Sequence, residues 1–145
     1  MKLKVEELIE DCDIFIAAAA VSDFKPKEIY KNKIKKNETE KHLNLKMDKN
    51  SDILKVISEK NLNLKIVGFA AETENLLSNA KKKLSQKKLD LIVANDVSNK
   101  DIGFDSDENE VTLITKKEQK KIKKASKKIV SKKIVEFIAS KVVND

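Results

Sequence analysis

Arginine is absent from this 145-residue chain, and all 31 of its basic residues are lysine. That argues against a nucleic-acid binder, because bidentate contacts to bases and phosphates favour the guanidinium fork. Aromatic residues make up only 4%, so few rings are available for base stacking. Glycine occurs twice and proline once. Two glycines cannot build a Walker loop, a G-x-G-x-x-G turn or a nucleophile elbow, so phosphate would have to be held by lysines, helix ends or backbone outside those motifs. One cysteine, Cys12, excludes an internal disulfide, and one histidine, His42, without a Cys/His cluster argues against a structural zinc site. No apolar run is long enough to span a membrane and no signal-peptide pattern is present, so the expected compartment is a reducing cytoplasm, with no membrane and no nucleic acid among the partners.

What is present is one domain's worth of chain, read as a single domain over 1–145 and large enough for its own core. The net charge of +7 comes from 31 basic against 24 acidic residues, and the surplus lysine is read as a solvated surface.

The densest signal lies in residues 14–36, where an apolar run over 14–21 gives way to Asp23 and then to a cluster of lysines. The run carries no alternation and reads as a strand covered on both faces, as in parallel sheets. Asp23 would then sit just past its carboxyl end, where open α/β sheets bind ligands. A turn or helix cap is the open alternative for Asp23. Upstream, the spacing of Val5, Leu8, Ile9 and Cys12 predicts a helix over 3–11. Pro26 bars helix through Lys25, and two short strands are predicted over 33–37 and 42–47, the second with Leu43, Leu45 and Met47 on one face, lying over the site.

Ser51 or Asp52 caps a predicted helix running to about Lys60, with Ile53, Leu54, Val56 and Ile57 as its apolar side. A buried strand over 64–70 follows, then a helix over 74–88 with Leu77, Ala80 and Leu84 inward, then a strand over 89–94. Gly68 is read as a point of close approach to the backbone. Segments 110–115 and 119–125 read as antiparallel edge strands whose lysines discourage further pairing. A helix over 126–143 closes the fold, with Ile129, Val130, Ile134, Val135, Ile138 and Val142 buried. Strands alternating with helices predict right-handed crossovers and an α/β fold: a three-layer, Rossmann-like, mostly parallel sheet with antiparallel edge strands. Three strand ends carrying polar or small-residue motifs would converge at one end of that sheet. Lys83 and Lys87, four apart, would project from one helix face, although on a chain this rich in lysine such a pair has little weight alone.

In order along the chain stand Ala19-Ala20-Val21-Ser22-Asp23, Asn32-Lys33-Ile34-Lys35-Lys36, Gly68-Phe69-Ala70-Ala71-Glu72-Thr73, Lys83-Leu84 with Lys87 and Asp90, Ala94-Asn95-Asp96-Val97, and Gly103-Phe104 with Ser106, Asp107 and Asn109. This series, covering roughly 4–140, resembles phosphopantothenate-cysteine ligase, the synthetase half of the bifunctional coenzyme A biosynthesis protein. The resemblance implies a CTP-dependent ligase that activates 4'-phosphopantothenate as an acyl-cytidylate, releases pyrophosphate and joins the amine of cysteine. It implies a cytidine nucleotide site drawing on Ala17, Ala18, Ala19, Asp23, Lys33, Ser51, Asp52, Ile53, Leu54, Phe69, Lys83 and Lys87, with Lys33 as the catalytic residue. Ser51 stands where the family often has proline. Mg²⁺ carried on the nucleotide is expected, with no dedicated protein metal site. The family also suggests a homodimer.

Complete synthetase domains of this kind carry, before the first helix here, a glycine-rich strand-turn-helix region and an asparagine that handles the acyl intermediate. The chain is therefore expected to be a partial synthetase domain lacking its amino-terminal wing, with that portion or the flavin-binding decarboxylase half as a possible partner. A non-catalytic nucleotide-binding module that needs another chain is the alternative function.

Overall fold

The computed structural model describes residues 1–34, 42–60, 63–97 and 106–143. These divide into two compact units, one formed by Met1–Ala18 with Ile53–Asp145 and the other by Ala19–Asp52.

The larger unit opens with helix α1 (Lys2–Leu8) and a 3₁₀ turn (Ile9–Asp11), then strand β1 (Ile14–Ala17). After the smaller unit come α2 (Ile53–Glu59), β4 (Lys65–Glu72), α3 (Leu76–Gln86), β5 (Leu91–Asp96), β6 (Glu108–Ile114), β7 (Gln119–Ser126) and α4 (Lys127–Ile138), which runs on as a π-helical turn (Ala139–Val143). The sheet order is β1-β4-β5-β6-β7, with β1, β4 and β5 parallel and β6 and β7 antiparallel additions. This is the expected α/β architecture with its antiparallel edge.

Alternation along the strands sends side chains to two apolar layers. Ile66, Ala70, Ile92 and Ala94 pack with Ile9, Ile57, Ala80 and Leu84 beneath α2 and α3. Val67, Leu91, Val93, Val111 and Leu113 pack with Val130, Ile134, Phe137 and Ile138 beneath α4. The sheet is thus the middle of three layers. Ser126 starts α4 by accepting the N–H of Ile129 at 3.4 Å on its hydroxyl. Helix α3 ends where Lys88 turns left-handed (φ 49), with Lys88 N–H bonded to Ser85 O at 3.2 Å and Leu89 N–H to Leu84 O at 2.9 Å, the paired bonds of a Schellman cap.

Several expectations need correction. The apolar run over 14–21 forms strand only to Ala17. Alanine is a poor strand former, and the four-alanine stretch from Ala17 marks where pairing stops. Nor is β1 covered on both faces: it is the edge strand of this sheet and Ile16 is exposed. On α4, Ile129 and Val135 are exposed while Phe137 is buried, because the covered face follows Val130, Ile134, Phe137 and Ile138 at i, i+4, i+7 and i+8. Leu77, in the first turn of α3, is also exposed.

The smaller unit is a two-stranded antiparallel ribbon of β2 (Phe24–Pro26) and β3 (Met47–Lys49). Asn50 N–H donates to Asp23 O at 2.8 Å and Lys27 N–H to Lys46 O at 2.9 Å, which extends the pairing at both ends. The strand predicted over 42–47 is therefore misplaced, and the first two positions of the one predicted over 33–37 are not strand. Lys33 and Ile34 lie in irregular backbone, 42–46 are not strand, and Met47 begins β3. Positions 35–41 fall outside the described residues. A two-stranded ribbon has no second layer to pack on, and none of the unit's described side chains is buried.

Candidate functional site

At the carboxyl ends of the parallel strands the sheet is stepped. Ala17, the last residue of β1, lies opposite Gly68, whereas β4 continues through residues 69–72 paired only with β5. Phe69 sits on this overhang, on the same face as Val67, and keeps 39% of its surface exposed. Of the residues implied by resemblance, Ala17, Ala18, Ile53, Leu54, Phe69, Lys83 and Lys87 belong to the larger unit, and Ala19, Asp23, Lys33, Ser51 and Asp52 to the smaller.

Gly68 does allow a close approach, but by the chain's own core. A Cβ there would lie 2.8 Å from Leu89 Cδ1 and 3.3 Å from Leu54 Cδ1. The side chain of Leu54 accordingly packs on the sheet beside the α2 and α3 layer.

The best-organised polar group is at the end of β4. Glu72 continues the alternation of Ile66 and Ala70 and so faces α3. Lys83 Nζ donates to Glu72 Oε1 at 2.6 Å, and Asn79 Nδ2 donates to Glu72 Oε2 at 3.1 Å. Asn79 Nδ2 also lies 3.1 Å from Glu74 O. The Glu72 side chain is 15% exposed and that of Lys83 44% exposed, so the carboxylate is sheltered and the lysine side chain is partly open to solvent. Asn75, in the left-handed region at φ 52, turns the chain between β4 and α3 and accepts the N–H of Asn79 at 3.0 Å.

Sequence reasoning found Lys83 and missed Glu72 and Asn79 as a group. The signal was there: Asn79 precedes Lys83 by four residues, so both project from one helix face towards the strand end. Lys87 is at the C-cap of α3, a further turn or about 6 Å along the helix from Lys83 and away from Glu72.

Asp90, the last position of the Lys83-to-Asp90 motif, is structural. Its carboxylate accepts the Ile66 N–H at 2.8 Å and lies 3.9 Å from Lys65 Nζ. In the smaller unit, Asp23 lies six residues beyond the end of β1 rather than just past it. Its carboxylate is exposed and, among the described residues, without a protein partner. Its backbone is fixed, because Asn50 binds both Asp23 O and, through Nδ2 at 2.8 Å, Ser22 O. Lys33 is exposed and has no ion pair among the described residues.

Across the sheet, Glu72 is in register with Asp96, and Asn95 with Ala71 on one side and Val111 on the other. Asn95 Oδ1 is buried without a hydrogen-bond partner. On β6, the hydrogen bond from Lys121 at 2.6 Å holds the Glu110 carboxyl below its ordinary value, against the opposing effects of burial and of the Asp96 charge. Among the described residues no group of three or more His, Cys, Asp or Glu is placed to hold a metal ion. Among the described residues no helix is long and apolar enough to cross a membrane.

Comparison with known proteins agrees with the motif series. Residues 1–142 match the DNA/pantothenate metabolism flavoprotein C-terminal domain. The chain is 43% identical over 141 residues to the coenzyme A biosynthesis bifunctional protein CoaBC of Bacillus subtilis, covering 97% of this chain and 34% of that protein. To the same-named protein of Vibrio vulnificus it is 41% identical over 129 residues, covering 88% and 32%. The chain thus spans about a third of the length of these relatives. Its fold superposes on a crystal structure of the C-terminal domain of CoaBC with a TM-score of 0.77 and 29% identity, covering 99% of this chain and 62% of the other. A Cab2 variant in complex with phosphopantothenate-cysteine shares the fold at a TM-score of 0.64 and 21% identity, covering 91% and 47%. The resemblance read from the motifs is borne out, and the chain belongs to the family of the DNA/pantothenate metabolism flavoprotein C-terminal domain.

Proposed function

We propose that this chain is the catalytic synthetase portion of a phosphopantothenate-cysteine ligase and that it uses CTP. Membership of the family over residues 1–142 carries this reading. It is supported by Lys83, which the family motif assigns to the nucleotide and which lies at the stepped strand end with its side chain partly open to solvent. The product-like ligand of the Cab2 variant agrees with the chemistry but belongs to that distant relative.

In the proposed reaction a carboxylate oxygen of 4'-phosphopantothenate attacks the α-phosphorus of CTP. The bond from that phosphorus to the bridging oxygen breaks, and pyrophosphate leaves with its electron pair. The amine of cysteine then attacks the acyl carbon, CMP departs, and the amine proton goes to solvent. Lysine ammonium groups suit this chemistry because negative charge builds on the phosphate oxygens as each bond breaks. Lys33 is the proposed catalytic cation. The proposed nucleotide contacts are Ala17, Ala18, Ala19, Asp23, Ser51, Asp52, Ile53, Leu54, Phe69, Lys83 and Lys87. Leu54 would contribute through its backbone, since its side chain is committed to the core. Phe69 offers an exposed ring to a base or ribose. Mg²⁺ would arrive on the triphosphate and neutralise part of its charge, needing few protein ligands.

The test is pyrophosphate release by the full-length protein, measured with CTP, 4'-phosphopantothenate and cysteine together and with each omitted. Release that requires CTP and 4'-phosphopantothenate, with phosphopantothenoylcysteine formed only when cysteine is added, is the expected result. Release that is indifferent to 4'-phosphopantothenate would overturn the reading.

A further inference from the structure

Lysine carries its charge on a four-carbon stem whose rotamer freedom must be lost before the ammonium can hold a ligand. The end of Lys83 is already fixed. One proton of its ammonium is given to Glu72 Oε1 at 2.6 Å, which leaves two for a ligand on the exposed side. The carboxylate that holds it is itself held. Its second oxygen accepts from Asn79, Asn79 is within reach of Glu74 O, and the side chain is sheltered from water. The anchor therefore rests on two elements, the end of β4 and one face of α3.

We propose that Glu72, braced by Asn79, is the positioning residue for Lys83, presenting the Lys83 ammonium in a fixed direction to a nucleotide phosphate. The proposal rests on the reading that Lys83 contacts the nucleotide. A carboxylate beside a phosphate-binding lysine could act in the opposite sense, competing with the phosphate for the ammonium. The two differ in sign: loss of a positioning residue weakens nucleotide binding, whereas loss of a competitor tightens it.

The experiment is a double-mutant cycle on the whole chain, with the Kd for CTP in Mg²⁺ measured by calorimetry for the parent, Glu72→Ala, Lys83→Gln and the double variant. Glu72→Ala is expected to weaken CTP binding on the order of tenfold, as for loss of one charge-assisted bond. Glu72→Gln, which keeps an acceptor for Lys83, should weaken it less. In the Lys83→Gln background the effect of Glu72→Ala should vanish, which a merely structural role for Glu72 would not produce. Asn79→Ala is the second variant should Glu72→Ala not fold; it should give a smaller loss of the same sign that also vanishes with Lys83→Gln. If Lys83→Gln weakens CTP but the Glu72 or Asn79 effect is absent, reversed or unchanged in that background, the positioning role is overturned and the nucleotide site stands. If Lys83→Gln leaves CTP affinity intact, or the parent binds no CTP, both are overturned.

Discussion

Asp90 and Ile66 are joined twice. The Asp90 carboxylate accepts the Ile66 N–H at 2.8 Å, and the Asp90 N–H donates to the Ile66 carbonyl at 3.0 Å. This clamp fixes the chain just before β5 against β4, and so sets the register that places Glu72 opposite Asp96. Asp90→Ala would leave the Ile66 N–H without its acceptor and is expected to destabilise by about 1–3 kcal/mol in urea unfolding. Asp90→Asn keeps an acceptor and should be milder. Equal stability of Asp90→Ala and the parent would show that the carboxylate bond contributes nothing.

Lys88 holds a left-handed conformation that glycine adopts more readily, at the cap that ends α3. Lys88→Gly should raise stability, by about 1 kcal/mol at most after the added freedom of the unfolded chain is deducted. A lower thermal midpoint for this variant would contradict that conformation.

Glu110 has its carboxyl pKa lowered by Lys121. A depressed folded pKa means that the pair stabilises the protein above the unfolded glutamate value and that this contribution is lost as pH falls through the folded value. Both side chains are partly solvated, at 61% and 31% exposed, so the effect should stay within about 1 kcal/mol. Glu110→Gln should therefore narrow the stability difference between neutral and acid pH. An unchanged acid limb in the variant would rule the pair out as a contributor.

In the full-length protein, Lys33→Gln is expected to lower turnover on the order of 10²-fold or more with CTP affinity much less affected, since a contact that strengthens in the transition state acts on rate more than on binding. Exposed Lys81 on α3 is the control. If Lys33→Gln and Lys81→Gln are equally active in cysteine-dependent pyrophosphate release, Lys33 has no catalytic role.

The central sheet was legible because its strands announce themselves. The runs giving β4 and β5 are apolar, bounded and separated by a helix of clear 3.6-residue period, and all three features reflect burial on two faces. Alanine misled at β1, since a run over 14–21 is apolar enough for a buried strand while its alanines do not favour one. The ribbon of β2 and β3 was misplaced because its described side chains are all exposed, so no burial pattern marks its register. Lys83 was visible through its motif, whereas its anchor was not. Glu72 and Lys83 are 11 positions apart, and only the return of α3 along β4 makes them neighbours.

The most direct test of the account is the thermal midpoint of the chain with Mg²⁺ and each of CTP, ATP, GTP and UTP in turn. A ligand present at 100 times its Kd stabilises by about 2.7 kcal/mol, a readily measured shift for a domain of this size. CTP should give the largest shift, and Lys83→Gln should reduce it. A shift with ATP equal to or above that with CTP, or no shift with any of the four, would contradict the assignment of a cytidine nucleotide site.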